Sequence, residues 1–97
     1  MVPDNGYVAN KAGLLTFTLP TTAAVGTVLR VTGMNTDSGW LIEQAANQII
    51  HFSGLSTTTG AGGSIASTLK RDSVELVCVV ADLEWNCVSM TGNITIV

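Results

Sequence analysis

The sequence predicts an all-β domain, an antiparallel β-sandwich or jelly-roll-like protomer with an intertwined β-prism as the alternative architecture. Three observations lead there. Apolar residues alternate with Thr and Ser in short runs spaced about 8–12 residues apart. Gly (10) and Thr (13) are abundant among 97 residues, as suits short strands joined by tight turns. Helical periodicity is almost absent, the best window being Leu41–Gln48, which is too short to stand alone and runs into Ile49-Ile50.

The runs can be justified in order. Leu14 to Leu19 puts Leu15, Phe17 and Leu19 on one face and Thr16 and Thr18 on the other, and Pro20 ends it by withholding a ladder donor. Thr27 to Thr32 points Leu29 and Val31 one way and Arg30 the other, stopping at Gly33. A turn at 35–39 leads into Trp40 to Gln44, and Ile49 to Phe52 follows as a short strand. Ser56 to Ser64 reads as the longest irregular segment. The strongest signal is a hairpin, Val74–Val80 and Trp85–Met90 around 81–84, and Ile94 to Val97 closes the chain. The length suits a single domain over residues 1–97, with no linker and no internal repeat.

Composition narrows the function. Only 11% of the residues are charged and 46% are hydrophobic, with a mean hydropathy of +0.44. Soluble domains carry about 25% charged residues, so part of this surface is expected to be covered by a partner. The net charge of −3 and the four basic residues Lys11, Arg30, Lys70 and Arg71 form no cluster that could track phosphates, which excludes a nucleic-acid partner. No apolar run reaches the roughly 18 residues of a membrane helix, so no membrane insertion is expected. Met1 to Gly6 has neither the basic nor the apolar region of a secretory leader.

Each residue that could carry chemistry has a plainer reading. His51, the single histidine, could be paired with Ser53 as a nucleophile's base. Ser53 lacks the setting of a nucleophile elbow, and a half-buried histidine bonded to a backbone group is expected. Thr59 to Ser64 lacks the Gly-Lys-Ser/Thr of a phosphate loop and the third glycine of a dinucleotide fingerprint. It is expected instead to need positive φ or a close approach to another chain. Cys78 and Cys87 are expected to be buried thiols, a cross-strand disulfide and a metal pair being the alternatives. Asp82 with Glu84 and Asp72 with Glu75 are expected to be solvated carboxylates flanking turns. Trp40 shares a face with Ile42, and Trp85 with Leu83 and Cys87, so both are assigned to the core rather than to a sugar-stacking surface. No catalytic residue, cofactor or metal ligand is therefore assigned, no ligand-binding residue is named, and the chain is not expected to be an enzyme.

Several segments occur together in order: Gly6–Asn10, Leu15–Pro20, Gly39–Ile42, Ile49–Phe52, the Thr/Gly stretch from Ser56 to Ser64, Asp72–Cys78, Trp85 and Gly92–Thr95. In this they resemble a β-rich C-terminal domain found on phage tail fibre or tailspike-like proteins and on fibrous bacterial surface proteins, some of them collagen-like. The resemblance spans nearly the whole chain, but its motifs are strands and turns. It implies a homotrimeric module from the C-terminal end of a longer fibrous protein, on a virion tail or a bacterial cell surface, capping the fibre and contacting a host-surface glycan or receptor. A monomeric carbohydrate-binding module is the alternative. Lys70-Arg71 and Cys87 depart from the pattern, so surface specificity does not transfer.

Overall fold

A computed structural model describes residues 1–9, 13–34 and 39–97; residues 35–38 of the turn expected at 35–39 fall outside them. The described residues form ten strands and no helix. They are β1 (Gly6–Ala9), β2 (Leu15–Thr18), β3 (Val28–Gly33), β4 (Trp40–Glu43), β5 (Ile49–Phe52), β6 (Leu55–Ser56), β7 (Ser64–Ser67), β8 (Ser73–Val80), β9 (Glu84–Thr91) and β10 (Ile94–Ile96). A six-stranded sheet runs β1-β3-β8-β9-β5-β6, and a four-stranded sheet runs β10-β7-β4-β2. Their inner faces meet as a sandwich.

The expected all-β sandwich is observed, but its sheets are mixed rather than antiparallel. Pairs β1–β3, β2–β4 and β5–β9 are parallel. For the first two pairs the cause is the path of the chain. From β1 to β4 successive strands alternate between the two sheets, and each crossing reverses direction. A strand two places on therefore returns to its first sheet running the same way. Antiparallel pairing holds at the hairpins β8–β9 and β5–β6 and also between the non-consecutive strands β3–β8, β4–β7 and β7–β10.

Period-two alternation fills the space between the sheets. The six-stranded sheet contributes Leu29, Val31, Val74, Leu76, Cys78, Trp85, Ile50 and Phe52, and the four-stranded sheet contributes Trp40, Ile42 and Ile65, all buried. Fully burying each such large side chain contributes about 1.5–3 kcal/mol. Both tryptophans are core residues, as their parity predicts. Leu83 is not: it lies exposed in the β8–β9 turn, where Asp82 has a φ of 67° and strand parity no longer applies.

Buried amides organise the Thr/Gly segment. Gln44 Nε2 donates to the carbonyls of Gln48 (2.7 Å), Thr58 (2.9 Å) and Gly60 (3.0 Å), while Thr57 donates its hydroxyl to Gln44 Oε1. Gln48 Nε2 donates to the carbonyls of Pro20 and Asp82, tying the network to both sheets. A side chain on Gly63 would collide with Gln44 and the Thr58 carbonyl, so the close approach made here is to the chain itself. The two ends of the segment expected to be irregular belong to strands, Ser56 to β6 and Ser64 to β7.

Candidate functional site

The outer face of the six-stranded sheet carries a groove of about 450 Å³ across β1, β3, β8 and β9. Its floor follows from register. One row across the four strands reads Gly6, Arg30, Glu75, Ser89, and the next reads Val8, Thr32, Ser73, Thr91. The alternation that sends Leu29, Val31, Val74 and Leu76 inward turns these residues outward. Two features make room above the floor. Gly6 contributes no side chain beside Arg30, and a β-bulge between Leu76 and Glu75 inserts Val88 into β9, bending that strand at the groove's edge.

The polar groups are arranged in pairs. Arg30 Nε donates to Glu75 Oε2 at 2.7 Å, and the hydroxyls of Thr32 and Ser73 bond at 2.6 Å. The ion pair leaves other guanidinium N–H groups and the second carboxylate oxygen for a ligand, while its charges cancel locally. Ser89 and Thr91 add hydroxyls that can donate or accept. Such a surface suits a neutral, hydroxyl-rich ligand. It lacks the cationic excess that a polyanion requires.

The same outer face brings His51 to a second cluster, beside the groove. His51 Nε2 lies 2.8 Å from Glu84 Oε1, and Nδ1 lies 2.8 Å from Ser56 Oγ. The histidine is half-buried as expected, but side chains rather than a backbone group satisfy it. Ser53 is absent from this cluster, occupying the β5–β6 turn with a φ of 49°.

The carboxylates divide differently from the solvated pairs expected. Asp72 is buried and accepts from the backbone N–H groups of Thr68 (2.8 Å), Leu69 (2.9 Å) and Asn93 (3.3 Å). It holds the turns at both ends of the β8–β9 hairpin's open end, which a solvated carboxylate could not do. Asp82 accepts from the Ala23 N–H at 2.7 Å, and Glu84 belongs to the histidine cluster.

Cys78 and Cys87 are free thiols. Strand register explains why they do not meet: Cys78 sits opposite Trp85 and Cys87 opposite Leu76, two places away from mutual pairing. Burial raises both thiols above their ordinary value, outweighing at Cys78 the opposing backbone hydrogen bonds at Asp82 and Val80. Among the described residues, no three His, Cys, Asp or Glu side chains gather as a metal set would require.

The groove was not legible as a site before the fold was known, because its eight floor residues are scattered over four strands. The one signal in the sequence was the outward parity of Arg30 between Leu29 and Val31. Comparisons with protein-family models, curated proteins and solved structures give no match.

Proposed function

We propose that the chain is a non-enzymatic, homotrimeric end module of a phage or bacterial surface fibre, and that its outer groove takes a neutral host glycan. The observation that carries the recognition half is the floor of the groove, where hydroxyls flank a self-neutralised Arg30–Glu75 pair. Sugar hydroxyls are matched by groups that both donate and accept, and a paired guanidinium and carboxylate can bridge adjacent hydroxyls without demanding a charged ligand. Weak single-site affinity is raised when three grooves are carried on one particle.

The trimeric half rests on composition and on the resemblance of the chain to fibre-tip domains. A surface with 11% charged residues that also exposes Leu55, Val79, Val80, Leu83, Val88 and Met90 is suited to burial against further copies. A monomeric carbohydrate-binding module shares the groove but leaves these apolar side chains uncovered.

A glycan array probed with the intact protein tests the recognition half. Binding to neutral glycans that persists in moderate salt is the expected result. Binding confined to sulfated or phosphorylated glycans and lost in moderate salt would contradict it, and a silent array would leave the module a structural cap.

A further inference from the structure

A second cleft, of about 260 Å³, opens where the two sheets part between β9 and β10. The core residue Phe52 and the half-buried Cys87 and Ile96 packed against the core reach its walls, and Leu55, Val88 and Met90 stand at its rim. Among the described residues, no charged one lines it. Val88 is 56%, Met90 49% and Leu55 64% exposed, so the rim projects apolar side chains beside an apolar hollow.

Main-chain groups are open at the same place. β5 pairs with β9 only from Glu84 to Asn86, so the side of Val88–Thr91 facing away from β8 has no strand neighbour among the described residues. β10 is the end strand of its sheet. Val97 and Ser64 exchange backbone hydrogen bonds at 2.9 and 3.2 Å, and antiparallel alternation then turns the N–H and C=O of Ile94 and Ile96 toward the open side. Exposed strand edges are ordinarily guarded by lysine, proline or inward charge. Neither Val88-Ser89-Met90-Thr91 nor Ile94-Thr95-Ile96 carries such a guard.

We infer that this cleft is the contact between copies of the chain, the rim side chains of one copy packing into the clefts of its neighbours around the symmetry axis. The inference rests on the trimeric reading above and specifies its interface. The occupant must be uncharged, apolar and able to meet free main-chain groups. A second copy's β9–β10 region supplies all three, because it presents the same projecting rim and the same unpaired edges. A charged partner would be left without counter-charges in the cleft.

Two methionines provide an internal control. Met34 and Met90 are 52% and 49% exposed in the single chain, so peroxide should oxidise them at similar rates if nothing covers the cleft. In the wild-type assembly, peptide mass spectrometry should show Met90 oxidised on the order of tenfold more slowly than Met34. A Met90→Glu variant should scatter light as a single chain, while Thr32→Glu in the groove should keep the wild-type mass. An assembled wild type with equal rates at Met34 and Met90 would keep the trimer and overturn this interface, as would an assembled Met90→Glu. A wild type that scatters as one chain would remove the trimeric reading itself, and the interface with it. Should Met90→Glu fail to fold, the wild-type oxidation ratio still decides.

Discussion

Trp40 donates its indole N–H to the carbonyl oxygen of Asp72 at 2.9 Å, so a side chain rooted in the four-stranded sheet is bonded to the loop that enters β8 of the other. Trp85 is equally buried, but its indole nitrogen finds no hydrogen-bond partner among the described residues. The two tryptophans therefore fill similar volumes with unequal polar consequences. Trp40→Phe leaves a cavity and removes one of the two hydrogen bonds to the Asp72 carbonyl, which keeps the Gly33 N–H at 3.0 Å, whereas Trp85→Phe leaves a cavity but removes an unpaired N–H. The first variant should be less stable than the second by about 0.5–1.5 kcal/mol, the net worth of one hydrogen bond. Thermal melts followed by circular dichroism at one protein concentration check this, and equal losses would contradict it.

Gly92 and Gly26 separate backbone strain from collision. Both have positive φ, at 95° and 93°, so alanine at either carries the same conformational cost of about 1 kcal/mol. A Cβ on Gly26 meets open space, whereas one on Gly92 strikes the carboxylate and backbone of Asp72. Asp72 is fixed by three backbone donors and cannot give way. Gly92→Ala should therefore lose at least about 2 kcal/mol more than Gly26→Ala in the same melts.

The thiols give a pH dependence whose direction follows from burial. Desolvation raises both cysteines above the ordinary 9.0 in the folded chain, so near and above that pH the unfolded chain loses thiol protons that the folded chain keeps. Stability attributable to the thiols is intact below the ordinary value and falls as pH rises from there through the folded value. Denaturation without reductant should expose two titratable thiols per chain. Replacing both cysteines with alanine should flatten the alkaline fall in melting temperature, while an unchanged slope would place its cause elsewhere.

The groove variants should separate recognition from folding. Arg30→Ala with Glu75→Ala removes the exposed ion pair together, which should shift stability by no more than about 1 kcal/mol. The same double variant should lose glycan binding at least tenfold if the pair bridges sugar hydroxyls. Retained binding with both side chains gone would move the site out of the groove.

How far the sequence reached depended on how much apolar material each strand carries. Leu29-Arg30-Val31 and the β8–β9 hairpin were legible because large apolar residues alternate there with polar ones. Gly6–Ala9 and Ser64–Ser67 were not, since small residues dominate them and each offers a single large inward side chain, Tyr7 and Ile65. Parallel pairing is a property of the route between sheets, and alternation within a strand does not encode it. The cysteine register escaped for a local reason: bulges on either side of the Leu76–Cys78 stretch shift the pairing, so Cys78 faces Trp85. Asp72 looked like an ordinary turn carboxylate because its three donors come from Thr68, Leu69 and the distant Asn93.

The claim that this low-charge sandwich works as a three-chain assembly is tested most directly by light scattering coupled to size exclusion, run from high to low micromolar concentration. An interface of about 2,000 Å² or more should hold throughout that range. The account predicts a particle of three times the 10.1 kDa chain mass, unchanged on dilution. A particle of one chain mass across the range would contradict it.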